Sequence, residues 1–177
     1  DLAAWRIGGF GGAPMPVPTI EALNGKLPGL QLMNCYGATE TCGAVVVMPS
    51  EYTLARGRAA GWPTPGSKIR IVDADGRDAP AGGSGELWIA GATVSPGYWR
   101  NPEATADNFI GGFWRSGDIG RIDEAGFVHI LDRLKDMINR GGYKIFTAEV
   151  ESILTAHPAV LEAAVVAKPC PVLGERV

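Results

Sequence analysis

Glycine and proline punctuate the first two thirds of this 177-residue chain more than any other feature does. There are 25 and 13 of them, about a fifth of all residues, scattered as single breaks rather than gathered in a tract. Each break ends or turns whatever element precedes it, so the pattern predicts many turns and short strands. The intervening residues are those of a folded protein: 46% are apolar and 20% charged, too apolar for a disordered chain. A net charge of −3 leaves no broad basic surface for nucleic acid. The longest apolar runs, such as Ala44 to Met48, are far too short to span a bilayer.

Three textures follow one another. Trp5 to Phe10 reads as a strand running into Gly11-Gly12-Ala13-Pro14. A helix over about Pro16 to Lys26 comes next, with Val17, Ile20, Leu23 and Leu27 on one face. Leu30 to Asn34 reads as a second strand, ending in a short polar turn, Asn34-Cys35-Tyr36-Gly37-Ala38-Thr39-Glu40-Thr41. Strand, helix, strand puts both turns on one side, where open α/β sheets place ligands. Gly61-Trp62-Pro63-Thr64-Pro65-Gly66 reads as a stiff linker. Beyond it the alternating stretches Lys68 to Asp73, Glu86 to Ala90, Asp118 to Ile122 and Phe127 to Asp132 predict strands of a small barrel or sandwich. Only one short helix interrupts them, at Pro102 to Asn108. From Arg133 onward, Met137 to Asn139 and Tyr143 to Phe146 flank a Gly141-Gly142 turn. Thr147 is the expected N-cap of a helix to about Ala156, with Val150, Ile153 and Leu154 as its apolar stripe, and Leu161 to Ala167 reads as a strand. The expected division is a partial α/β subdomain over 1–60, a β-rich subdomain over 61–132, and the start of a small α+β domain over 133–177.

Some chemistries fail on spacing. Gly9-x-Gly11 has Pro14 where a dinucleotide fingerprint needs its third glycine, and Gly25-Lys26 lacks the Ser/Thr of a phosphate loop. Cys35, Cys42 and Cys170 form no CxxC pair, and His129 and His157 stand far apart, so neither a zinc site nor a disulfide framework is indicated. Buried, reduced thiols in a cytoplasmic protein are the expectation. Other stretches carry chemistry that the residues alone leave open. In the turn at 34–41 an aromatic ring can stack on a base, a hydroxyl can donate to phosphate and a carboxylate can hold a hard cation; a loop satisfying its own backbone has the same composition. In Trp114-Arg115-Ser116-Gly117-Asp118 and Asp132-Arg133-Leu134-Lys135-Asp136 an Asp can accept both hydroxyls of a ribose, and ordinary surface ion pairs are the other reading.

Taken in order, Gly11-Gly12-Ala13-Pro14, Tyr36-Gly37-Ala38-Thr39-Glu40, Gly85-Glu86-Leu87 with Gly97-Tyr98-Trp99, Arg115-Ser116-Gly117-Asp118, and Asp132-Arg133-Leu134-Lys135-Asp136 with Gly141-Gly142-Tyr143-Lys144 resemble the adenylate-forming superfamily over nearly the whole chain. The resemblance implies an α/β fold with a β-rich distorted barrel, covering the C-terminal part of a large adenylation domain and the start of a small one. It implies an AMP-forming acyl-CoA ligase: a carboxylic acid attacks the α-phosphate of ATP, and coenzyme A then displaces AMP. A peptide-synthetase adenylation domain and a non-catalytic nucleotide-binding piece are the alternatives. By resemblance Gly12, Ala13 and Pro14 line the adenine edge, Tyr36 stacks on the base beside Asn34, Cys35 and Ala38, and Gly37 borders the acyl pocket. Thr39 bonds phosphate and Glu40 holds Mg²⁺. Asp118 and Arg133 take the ribose with Ile130 against the nucleoside, Lys135 is the hinge of a rotating small domain, and Gly141 and Gly142 border the thiol tunnel. The apolar residues from Cys42 to Val47 suit either an acyl pocket or a core strand. The chain opens on Asp1 rather than Met and stops in mid-pattern at Val177. It is therefore expected to be a fragment, with the family's phosphate loop upstream and its second catalytic lysine downstream; neither Lys144 nor Lys168 fits that role. No membrane span is expected, and oligomeric state is open.

Overall fold

The computed structural model describes Leu2 and residues 4–177. Three sheets follow each other along the chain. The first contains β1 (Ile7–Gly11), β2 (Gln31–Ala38), β3 (Gly43–Val47) and β4 (Trp62–Pro63), in that order. β1 and β2 are parallel, joined by helix α1 (Val17–Lys26), and the remaining pairs are antiparallel. Pro18 stands in the first turn of α1, where its missing N–H costs nothing, and Lys26 lies in the last turn. The helix buries Ile20 against Leu30 and Leu32, with Leu23, Leu27 and Phe10 packed round them. Three of the four residues expected on its apolar face therefore form this small core.

The second sheet, β5 (Lys68–Val72), β6 (Gly85–Ala90), β7 (Phe109–Ile110), β8 (Phe113–Ile122) and β9 (Val128–Arg133), is wholly antiparallel. The long β8 pairs with β6 on one side and with both β7 and β9 on the other. The sheet curls as a half-barrel and is not closed, so the distorted-barrel class expected from the sequence is the one observed. Helix α2 (Pro102–Asn108) starts with Asn101 accepting the Ala104 N–H, an ordinary side-chain cap. The main core lies between the first two sheets: Val45, Val46, Leu87, Ile89 and Val128 are fully buried and pack with Ala60, Ile71 and Trp114. Val45 and Val46 are thus core residues of a strand. Burying each large aliphatic of this set is worth about 1.5–3 kcal/mol.

The third sheet comprises β10 (Ile138–Arg140), β11 (Tyr143–Ile145), β12 (Lys168–Cys170) and β13 (Gly174–Arg176), with helix α3 (Thr147–Thr155) beside it. Among the described residues no helix is long and apolar enough to cross a membrane.

Six expectations need correction. The polar stretch after the second strand is not a turn as far as Ala38. β2 runs through it, because β3 folds back along it, and only Thr39–Thr41 form a 3₁₀ turn. The linker at 61–66 contains β4: Gly61 bridges Val128, and Trp62 pairs with Val47. Thr147 does not cap α3 but is its first residue after Phe146, and its side chain is drawn to Asp132 instead. The stripe on α3 is not a buried one, since Ile153 is 68% and Leu154 44% exposed. Residues 161–167 form no strand; β12 begins only at Lys168, where Gly174–Arg176 supplies a pairing partner. The thiols also differ from expectation: all three cysteines are free, but Cys42 is exposed and Cys35 and Cys170 are half-buried.

Candidate nucleotide site

Parallel pairing of β1 with β2 sets Gly11 opposite Cys35, so Gly12, Ala13 and Pro14 emerge beside Tyr36 and Gly37. Gly12 takes a φ of +77° at this exit, with open space where a Cβ would stand. Gly11 is required for a different reason. A Cβ there would meet the Cys35 carbonyl oxygen at 2.0 Å, so only glycine permits so close a pairing. Gly37 is confined likewise by the Gly43 carbonyl, at 2.1 Å from its would-be Cβ, where the β2–β3 register shifts. These two contacts hold the ends of β1 and β2 at a fixed spacing.

Tyr36 projects from β2 toward the second sheet, where its phenol donates to Asp118 Oδ2 at 2.6 Å. Asp118 Oδ1 accepts from Arg133 Nε at 2.8 Å, the two residues facing each other across β8 and β9. The carboxylate side chain is 10% exposed and the arginine side chain 59%, so this is a carboxylate held inside the rim of a site rather than a surface pair. Burial pushes Asp118 above the ordinary aspartate value of 3.8, against the opposing pull of the Tyr36 hydrogen bond and the Arg133 charge. Tyr36 is pushed far up by burial and by the charge of Asp118. At neutral pH the shared proton therefore stays on the phenol. Each carboxylate oxygen has two lone-pair sites. One acceptor position remains on each, the number that the two hydroxyls of a ribose require.

Thr39 and Glu40 lie on the 3₁₀ turn that joins β2 to β3. Thr41 holds that turn: its fully buried Oγ1 accepts the Ala38 N–H at 2.8 Å and lies 2.7 Å from the Gly43 carbonyl oxygen. Thr39 is left exposed with its hydroxyl unengaged by the turn. Glu40 accepts from the Tyr98 phenol at 2.8 Å, and Tyr98 accepts in turn from the Trp114 indole at 3.3 Å. Burial raises the Tyr98 phenol, so it stays protonated as the donor. No group of three or more His, Cys, Asp or Glu side chains gathers as a metal cage among the described residues. Glu40 is a single carboxylate with one oxygen committed to Tyr98, a donor set that suits Mg²⁺, which is held by one or two carboxylates together with phosphates and water.

The other expected residues stand elsewhere. Ile130, on β9, is half-buried against the main core. Asn34 and Cys35 are half-buried within β2, and the Asn34 amide donates to the Ala59 carbonyl at 3.4 Å. Gly141 and Gly142 take φ values of +60° and +95° in the β10–β11 turn, and their N–H groups bond Leu173 and Asn139 of their own sheet. Lys135 is exposed on the connection between β9 and β10. It borders a cavity of about 300 Å³ with Asp132, Thr147, Glu151 and Val165, which excludes Tyr36, Thr39 and Glu40.

Tyr98 and Glu86 stand in the motifs Gly97-Tyr98-Trp99 and Gly85-Glu86-Leu87, but the sequence alone assigns neither a role. For Glu86 a signal exists: it is a charge within the otherwise apolar run Gly85-Glu86-Leu87-Trp88-Ile89. For Tyr98 there is none, because its partner is 58 positions away. Asp132 likewise has only its place in a motif to mark it. It is buried and accepts from the Thr147 N–H and hydroxyl and from the Arg133 N–H.

The model of the AMP-binding enzyme family matches residues 1–99, and that of the AMP-binding enzyme C-terminal domain matches residues 149–177. The 2-succinylbenzoate–CoA ligase of Geobacillus kaustophilus is 41% identical over 156 residues, 88% of this chain and 31% of that protein. The long-chain-fatty-acid–CoA ligase of Yersinia pestis is 38% identical over 177 residues, 100% of this chain and 31% of that protein. Among solved structures, the o-succinylbenzoate CoA synthetase of Bacillus subtilis in complex with the acyl-adenylate intermediate OSB-AMP superposes with a TM-score of 0.88 at 35% identity, over 96% of this chain and 34% of that one. The chain thus spans about a third of the length of the curated relatives it matches.

Proposed function

Because the chain belongs to the AMP-binding enzyme family, we propose that it is part of an ATP-dependent, AMP-forming acyl-CoA ligase that activates a fatty or aromatic carboxylic acid. The observation that carries this is the Tyr36–Asp118–Arg133 cluster near the β1 exit at Gly12, a buried carboxylate with an acceptor position left on each oxygen beside an aromatic ring. Ligation of 2-succinylbenzoate and of long-chain fatty acids by relatives supports the substrate class.

On this reading Gly12, Ala13 and Pro14 line the adenine edge and Tyr36 presents its ring to the base, with Asn34, Cys35, Gly37 and Ala38 in the same wall. Asp118 accepts the ribose hydroxyls, Arg133 holds that carboxylate in place, and Ile130 lies behind the nucleoside. Thr39 donates its hydroxyl to phosphate. Glu40 would hold Mg²⁺, which when bound supplies charge to the phosphate oxygens. A carboxylate oxygen of the acid attacks the α-phosphorus as its bond to pyrophosphate breaks. Coenzyme A then attacks the acyl carbon, its thiol losing a proton, and AMP leaves with the electron pair of the acyl–oxygen bond. The two steps need different surroundings, and rotation of a small domain near Lys135 would provide them; Gly141 and Gly142 border the thiol path on this view. The division at 60 and 132 belongs to the same proposal. A cytoplasmic site of action and a place in fatty-acid metabolism fit three free cysteines and the named relatives.

The test is ATP–pyrophosphate exchange by the full-length protein over a panel of fatty and aromatic acids, followed by addition of CoA. Acid-dependent exchange with thioester formation supports the reading. Exchange that delivers the acyl group only to a carrier pantetheine favours a peptide-synthetase-type enzyme. Nucleotide binding without exchange for any acid leaves a non-catalytic module and overturns the ligase.

A further inference from the structure

Glu86 is 9% exposed on β6, near enough to the buried Asp118 for its charge to act on that carboxylate. A second buried charge there is costly unless it is well paired, and an apolar side chain would fill the strand without that cost. The register of β6 and β8 shows what the carboxylate secures. Glu86 pairs with Ile119 and Trp88 with Arg115, so the step from 86 to 88 is matched by the step from 115 to 119. β8 therefore carries a bulge at Ser116, Gly117 and Asp118, with Gly117 at a φ of +70° and outside the ladder register.

The anchors of that bulge come from β6. Glu86 Oε1 accepts the Gly117 N–H at 3.2 Å. Oε2 accepts from Trp88 Nε1 at 3.0 Å and from Arg115 Nε and Nη2 at 3.1 Å each. The Ser116 hydroxyl donates to the Leu87 carbonyl at 2.8 Å and accepts the Asp118 N–H at 3.0 Å. We propose that Glu86 is a positioning residue for Asp118, its carboxylate fixing the bulge that aims Asp118 at Tyr36 and at the nucleotide. The inference rests on the nucleotide reading of the site given above. Without the Gly117 contact the glycine loses its one side-chain acceptor, and Asp118, the next residue, loses one of the anchors of its direction.

The two oxygens of Glu86 are not equivalent, and a substitution can separate them. In Glu86→Gln the amide oxygen is drawn to the side with three N–H donors, Trp88 and Arg115. The amide NH₂ is then left facing the Gly117 N–H, donor against donor. Trp88→Phe removes one donor from Oε2 and leaves Oε1 on Gly117. Titration of the full-length protein with AMP is expected to show affinity about tenfold lower in Glu86→Gln and within about twofold of wild type in Trp88→Phe. The Tyr36 phenol proton, bonded to Asp118, is expected to exchange slowly enough for detection by NMR in wild type and to vanish in Glu86→Gln alone. Wild-type affinity in Glu86→Gln, or equal loss in both variants tracking their melting temperatures, overturns the inference. Should Glu86→Gln not fold, Glu86→Asp keeps the charge for Arg115 but falls short of Gly117; it is expected to lose the same affinity, and retained affinity overturns the inference. If wild type binds no AMP, the nucleotide reading fails by itself, and the Tyr36 proton still decides on Glu86.

Discussion

The phenol of Tyr36 donates to Asp118 over 2.6 Å although 82 positions separate them, and Arg133 takes the other carboxylate oxygen at 2.8 Å. Tyr36 from the first sheet and Arg133 from β9 of the second thus meet on one buried carboxylate, that of Asp118 on β8. The alignment of the carboxylate is set on both sides before any ligand arrives, which is the preorganisation a binding site needs.

Tyr36→Phe removes the donor and leaves Asp118 Oδ2 short of a partner in a buried place. The loss is expected to be about 1–3 kcal/mol of stability, measured by denaturant unfolding. Burial already raises Asp118, and the Tyr36 hydrogen bond is the largest influence holding it down. The variant's Asp118 is therefore expected to titrate higher still by carboxyl ¹³C NMR. An unchanged titration would mean that the phenol does not bond the carboxylate in solution.

AMP binding is expected to weaken as pH falls through a window above 3.8, because the acceptor of the ribose is a carboxylate whose pKa is raised by burial. The sign for stability runs the other way. The folded chain holds this proton more tightly than the unfolded chain does, so Asp118 favours the folded state at low pH and its contribution falls as pH rises through its folded pKa. Calorimetric titrations with AMP at a series of pH values, paired with melting curves at the same pH, test both slopes; binding that follows an ordinary carboxylate would contradict the buried assignment.

Tyr98→Phe frees Glu40 from its phenol donor at 2.8 Å. Loss of a hydrogen bond to a charged group is worth about 1.5–3 kcal/mol. Binding of Mg²⁺-ATP is expected to weaken by about tenfold or more while AMP binding without Mg²⁺ holds. Parallel loss of both would show that Tyr98 supports the nucleoside side of the site rather than Glu40.

Gly61→Ala tests the junction of the first two sheets. Its φ is +130°, and a Cβ would stand 2.2 Å from the Val47 carbonyl group and 2.3 Å from the Met48 nitrogen, all backbone atoms that cannot yield. The substitution is expected to cost more than about 3 kcal/mol, read as a large fall in melting temperature. A variant of wild-type stability would mean that the close approach of Gly61 to the Val47–Met48 backbone is not kept in solution.

Thr147→Val removes the hydroxyl that reaches both oxygens of Asp132, and Asp132→Ala strands the Thr147 N–H as well. Each buried polar group left unpaired, an acceptor in the first variant and donors in the second, costs about 1–3 kcal/mol. Amide hydrogen exchange over 147–155 is expected to quicken in both variants, more in Asp132→Ala, with β6 and β8 unaffected. Quickening throughout the chain would make the pair a general support rather than the local tie of α3.

The sequence by itself determined the parts whose cause is local. Proline and helix-forming residues set α2 at 102–108, the Ile20, Leu23 and Leu27 spacing set the buried face of α1, and alternation set β5 and β6. The order of short motifs was enough to identify the family. Tertiary structure decided the rest, because each remaining feature depends on a partner that is remote in the chain. β2 extends through Ala38 only because β3 lies against it, and Trp62–Pro63 becomes a strand only because β3 offers its other edge. Residues 161–167 are apolar enough for a strand but pair with no strand among the described residues, while Lys168–Cys170 has β13. Thr147 has the composition of a cap, yet a buried carboxylate 15 positions away outcompetes the helix end for its hydroxyl. Glu86 is hidden in the same way: its type and neighbours announce a buried charge, but only the unequal steps of β6 and β8 show that it holds the bulge that carries Asp118. Local patterns fix what a residue can do, and a hydrogen bond across many tens of positions fixes which of those things it does.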